Sequence, residues 1–200
     1  MGARSFVLSD VGAVVGQPAL WLLAFFLFLY VACEVGVWNW LVRHLVAQGI
    51  PESRALNVLS LGFALGMLLG RVAVAPVLIR VSSLTVTLAA SVLIVITTYL
   101  MLQARDVRIA WVLVFFAGLS MAPVFPTTLA IVGDVFPRMT GTAMGIVITC
   151  GWVGLAVSSR IIGSIAGSEP KHLKKALLIL PAMAVLMIAV NLVLRSTVAR

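Results

Sequence analysis

Charge is what this chain has least of. Only 10% of its 200 residues are Asp, Glu, Lys or Arg, against about a quarter in an ordinary soluble domain, while 62% are hydrophobic. A water-soluble core of this length cannot hide that much apolar surface, which excludes a soluble enzyme or binding module. Histidine and cysteine are equally scarce, with two of each. His44 and His172 stand apart from any Cys, Asp or Glu cluster, and Cys33 and Cys150 have neither metal-ligand spacing nor a partner nearby in sequence. No metal or other cofactor is expected, and the cysteines read as buried free thiols. Residues 1–18 contain Arg4 but no continuous apolar stretch, so no signal peptide is expected there.

The charge that exists is mostly positive, +8 in total. It is scattered over short connections and forms no patch, which argues against nucleic acid and for contact with anionic lipid headgroups.

What the chain has in abundance is long apolar runs, at 19–41, 56–78, 84–102, 109–132, 142–163 and 176–194. Each is near the roughly 20 residues that cross a bilayer as a helix. The runs are apolar all round, unlike the alternating ten-residue segments of a membrane barrel. The predicted fold is therefore all-α: a polytopic bundle of six transmembrane helices over 18–200, preceded by a linker or amphipathic lead-in at 1–17. The protein is expected to be an integral, multi-pass protein of the cell (inner) membrane. No connection is long enough for a soluble domain, so function must reside in the bundle.

Orientation is not fixed by charge. With alternating crossings, Arg4, Arg71, Arg80, Arg138, Arg195 and Arg200 share the side of Met1, and Arg43, Arg54, Arg105, Arg108, Arg160, Lys171, Lys174 and Lys175 lie opposite. Six against eight leans weakly away from a cytoplasmic N-terminus by the positive-inside rule. Arg160, near the end of the fifth run, is expected to snorkel to the interface.

Polar groups inside the runs are the functional candidates. In the first, Tyr30, Glu34 and Trp38 recur every four residues and share one face, with Asn39 about 100° round from Trp38. An acid in a membrane costs several kcal/mol and normally faces a bundle interior or an aqueous cavity. Glu34 is thus either a functional group, with a proton-linked role among its options, or an acid bonded to a neighbouring helix for structure alone. In the second run, Gly62, Gly66 and Gly70 form a smooth stripe at four-residue spacing. Such a stripe either packs a neighbouring helix closely or forms a sliding surface between two halves of a transporter. Arg71 follows it, where a cation suits the negative end of a helix dipole. Arg80 comes shortly after, and Asp134 on the same side offers an ion-pair latch. Ser9 and Ser53 are candidate helix caps. In the fourth run, Pro123 and Pro126 each remove a backbone donor, which predicts a break or kink, made for packing or for lining a solute path. Ser120, Thr127 and Thr128 stand beside the carbonyls so freed.

These residues, in this order and spacing, resemble the last six helices of a major facilitator superfamily transporter, most closely the fucose and glucose permease-like branch. Phe28-Leu29-Tyr30-Val31-Ala32-Cys33-Glu34-Val35-Gly36-Val37 is similar to the seventh helix of that branch. Ser60 through Arg71 is similar to its eighth, and Gly118 through Thr127, with its P-x-x-P-T element, to its tenth. The resemblance implies half of a twelve-helix fold, built as two inverted three-helix repeats and working by alternating access. It implies secondary transport of a small polar, sugar-like solute, coupled to protons when complete. Tyr30, Glu34, Trp38, Asn39, Pro123 and Pro126 would bind the solute, and Arg71, Arg80 and Asp134 would act as gating charges. The first six helices of that fold are not present, and the segment after Arg71 lacks the acidic residue of the superfamily loop motif. The chain is expected either to be a fragment needing its N-terminal half, or a half-size carrier that pairs with a second copy.

Other classes fit less well. An intramembrane serine protease would need glycine where Met121 follows Ser120, and a histidine in the last run; both are lacking, so the nucleophile has no base and no enzyme is expected. A channel would show a repeated half-helix or a pore ring. A structural membrane subunit without transport remains the plain alternative.

Overall fold

The computed structural model describes residues 8–167 and 170–198. Arg4, Arg200 and the first seven residues of the expected lead-in lie outside them, as do the side chains of Ser9 and Lys171. A short helix α1 (Leu8–Val15) leads into six long helices: α2 (Pro18–Ala47), α3 (Glu52–Leu78), α4 (Ser83–Met101), α5 (Val107–Val135), α6 (Thr140–Ala166) and α7 (His172–Val198). All six are long and apolar enough to span a bilayer, and no strand occurs among the described residues.

Their boundaries follow local chemistry. Pro18 opens α2, where its missing donor costs nothing, and Gly49, at φ 91°, turns the chain after it in a region that favours glycine. The helix runs to Ala47, past the expected end near residue 41, which brings His44 inside it. There His44 is fully buried, with Nε2 3.2 Å from the carbonyl oxygen of Leu102. It is a packed structural group rather than a residue outside the span. Pro51, not Ser53, caps α3, and Ser53 lies within its first turn. Asp106 accepts from the amides of Arg108 and Ile109 at 2.8 and 3.3 Å and so starts α5. Gly167, at φ 54°, ends α6.

Helix α2 is the spine. Within its most apolar stretch 67% of residues are buried, against 28% for α6, so α2 is enclosed by neighbours and α6 lies on a flank. Its closest partners are α6 and α7, while α7 packs on α4, α4 on α5, and α5 on α3. Glycines set the tightest of these approaches. Gly154 lies against the Phe28 backbone carbonyl, and Gly66 against that of Phe115.

Gly118 on α5 is seated in turn on the carbonyl of Phe63, so the α3 and α5 backbones meet without an intervening side chain. The Gly62-Gly66-Gly70 stripe is therefore the α3–α5 packing surface within this bundle.

Hydroxyl and amide groups pin other seams. Asn191 on α7 donates to Thr87 on α4 at 2.8 Å, Arg195 donates to Asn191 at 3.3 Å and to Thr85 at 2.9 Å, and all lie toward the end of the bundle shared by α2's start. At the other end, Lys174 donates to Gln103 at 2.6 Å. Both cysteines are free; Cys33 is buried and Cys150 half-buried.

Candidate functional site

Two departures from regular helix frame the candidate site. The first is the expected break in α5, where Ala122 and Pro123 form a turn between the halves Val107–Met121 and Val124–Val135. The nearby hydroxyls do not serve the freed carbonyls. Ser120 bonds the Ala117 carbonyl at 2.9 Å and Thr97 of α4 at 3.1 Å, Thr128 bonds Val124 at 2.7 Å, and the buried Thr127 hydroxyl has no partner among the described residues. Pro123 is buried and Pro126 exposed. Past the break, the second half of α5 comes against α2, so the kinked helix and the acid-bearing helix adjoin.

The second departure was not foreseen from sequence. Val58–Phe63 of α3 is a turn of π-helix, a local widening and underwinding that is rare and often found at functional sites. It brings the Phe63 ring edge-on to Trp38 of α2, with centroids 5.1 Å apart and planes at 90°, a favourable aromatic geometry. Helices α2 and α3 approach each other through Glu52–Phe63 and part beyond it, leaving a cleft.

Glu34 lies on the α2 wall of that cleft. It is half-buried, with Tyr30 and Trp38 beside its carboxylate, so the stripe expected from spacing is formed. Tyr30 is fully buried, and its hydroxyl makes no hydrogen bond of standard geometry. Trp38 is 39% exposed, leaving part of its ring face free. Asn39 is turned elsewhere: its amide donates to the Ser159 hydroxyl of α6 at 3.1 Å. The structure therefore groups Tyr30, Glu34 and Trp38, and separates Asn39 from them.

The three charges expected at the gate are all exposed, and none takes part in an ion pair or hydrogen bond with another described residue. Arg71 is not at the end of its helix, since α3 continues seven residues further to Leu78. It lies about 10 Å inside, at 1.5 Å per residue, and acts electrostatically on Glu34 and Tyr30.

Chemically, the cleft offers a half-buried carboxylate and a partly exposed indole to a polar solute from a helix at the centre of the bundle, with the buried Tyr30 phenol behind the carboxylate. No grouping of His, Cys, Asp and Glu able to hold a metal occurs among the described residues. No curated protein matches the chain. A family model, the Major Facilitator Superfamily, matches residues 2–159. That match covers the acid-bearing helix, the π-turn, the broken helix and most of α6, and together with six spanning helices it makes this an integral, multi-pass membrane transport protein, a member of the Major Facilitator Superfamily.

Proposed function

We propose that the chain carries a small polar solute, a sugar by class, through secondary transport by alternating access, coupled to protons, and that it represents the C-terminal half of a carrier of the fucose and glucose permease-like branch. The observation that carries this reading is the partly covered Glu34 at mid-depth of the central helix, set between an aromatic hydroxyl and a partly free indole. Aromatic faces pack against the apolar faces of pyranose rings, and a carboxylate accepts from two neighbouring hydroxyls at once. Pro123 and Pro126 contribute by breaking α5, which sets the angle of the half that meets α2. Asn39 reaches a solute only by exchanging its bond to Ser159. Arg71, Arg80 and Asp134 serve as gating charges toward the end where α2 begins.

Six helices supply one wall of a central path. The cleft between α2 and α3 and the lightly covered α6 support a second six-helix unit as partner, an N-terminal half in preference to another copy of this chain.

Uptake of radiolabelled hexoses into vesicles tests the proposal, with the chain produced alone and joined to a six-helix N-terminal half. Uptake is expected in the joined form. With E34Q it falls at least about tenfold, because each hydrogen bond to an ionised group contributes roughly 1.5–3 kcal/mol. Normal uptake by E34Q removes Glu34 from the solute site. Uptake by the chain alone, with a dimer in the membrane, replaces the N-terminal half by a second copy.

A further inference from the structure

The register between α2 and α3 locates a partner for Glu34 that spacing along either helix alone does not reveal. The two helices run in opposite directions, and the Trp38–Phe63 ring contact fixes where they are level. From Trp38 back to Tyr30 is eight residues, and from Phe63 on to Arg71 is also eight. Both steps lead about 12 Å toward the same end of the bundle. Arg71 therefore stands level with Tyr30, and Met67 level with Glu34.

The facing is right as well. Gly62, Gly66 and Gly70 meet α5, so Phe63, Met67 and Arg71, each one residue on and about 100° round, form the adjacent stripe. The Phe63 contact with Trp38 shows that this stripe is the one turned to α2. A guanidinium reaches several ångströms from its own backbone, enough to bring its charge from the level of Tyr30 toward that of Glu34.

Among the described residues neither charge has another ionised partner, and the carboxylate has only the neutral Tyr30 and Trp38 of its own helix beside it. Neither Glu34 nor Arg71 makes an ion pair with a described residue. Asp134 lies in the last turn of α5 and makes no ion pair with Arg71, while Glu52 and Asp106 lie at the opposite end of the bundle. Arg71 acts electrostatically on both Glu34 and the Tyr30 hydroxyl. An isolated acid and an isolated base at membrane depth are each costly, and ionisable groups there are rarely left unpaired.

We propose that Arg71 is the counter-ion of Glu34 across the α2–α3 cleft, a positioning residue that orients the carboxylate from the facing wall. It holds Glu34 by charge while the Phe63–Trp38 contact holds the walls in register.

The test needs no solute. The full chain and its variants E34R, R71E and E34R/R71E are reconstituted in phosphatidylcholine nanodiscs, and the melting temperature is read from tryptophan fluorescence. Each single reversal places two like charges across the cleft and lowers the melting temperature. The swapped double variant recovers at least half of the loss, and R71K stays closer to the parent than R71Q does. If a single reversal fails to fold, E34Q, R71Q and E34Q/R71Q form the same cycle, and the two losses must then be non-additive. Additive losses in either cycle overturn the pairing. Non-additivity of R71Q with D134N in place of E34Q also overturns it, in favour of a latch to Asp134. Because the readout is stability, the pairing fails or stands independently of hexose uptake.

Discussion

Three glycines at identical spacing on α3 are expected to respond very differently to a single methyl group. A Cβ on Gly62 would lie 3.5 Å from the Trp111 ring, an ordinary contact. On Gly66 it would overlap the Phe115 carbonyl and come within 2.9 Å of the Leu119 amide nitrogen, and on Gly70 it would stand 2.6 Å from the Ala122 Cβ and 2.7 Å from the Leu119 oxygen. Those obstacles at Gly66 are backbone atoms of a facing helix, which cannot rotate aside as a flexible side chain does. The substitution therefore forces α3 and α5 apart. Glycine to alanine in a helix also gains about 1 kcal/mol in propensity. At Gly62 that gain meets no clash, so G62A is expected within about 1 kcal/mol of the parent or more stable. At Gly66 and Gly70, overpacking of about 1–3 kcal/mol, plus dispersion lost along the separated seam, exceeds the gain. G66A and G70A should be destabilised by about 1–2 kcal/mol net, and G118A likewise, because its methyl would overlap the Phe63 carbonyl. Gly145, where nothing lies within 4 Å, is the control. Unfolding of the purified chain in mixed micelles with increasing dodecyl sulfate, followed by helical circular dichroism, ranks the five variants. If G62A and G66A lose the same stability, the α3–α5 seam at Gly66 is not a close backbone contact.

Other perturbations have narrower readouts. D106A removes the acceptor for two amides at the start of α5 and should cost about 1 kcal/mol in the same unfolding assay; a change within error would show that bilayer-interface water replaces the cap. N191A leaves the Thr87 hydroxyl and the Arg195 guanidinium without their shared partner and should cost about 1–3 kcal/mol. T87V tested in the same background should then cost little more, and full additivity of the two would place Asn191 outside the network.

The fold was legible where physics acts over long stretches. Six apolar runs demand helices because no other open structure satisfies its own backbone in lipid, and two prolines three residues apart demanded the break in α5. The ends were less legible. Helix α2 extends to Ala47 because His44 is buried against the Leu102 carbonyl, a contact between residues far apart in sequence that no local pattern announces. Asp106 is legible as a cap, being an Asp before an apolar run, whereas Ser53 has the residue type of a cap but Pro51 takes the position.

The cleft was half legible, and the missing half has one cause. Four-residue spacing placed Tyr30, Glu34 and Trp38 on a common face because it is a property of α2 alone. Asn39 illustrates the limit: it is adjacent to Trp38 in sequence, yet 100° of rotation gives it to Ser159 on α6. What faces Glu34 depends on the register of a second helix, and that register is set by a π-turn whose sequence, Val58–Phe63, carries no distinguishing mark. A regular α-helix there would turn the residues beyond it by roughly one position's rotation relative to those before it. Phe63 would then move off Trp38, and Arg71 would leave the cleft for a neighbouring face. The π-turn thus decides which stripe of α3 confronts the acid: the glycines go to α5 and the Phe63-Met67-Arg71 stripe to α2, and the polar character of the far wall follows from that choice.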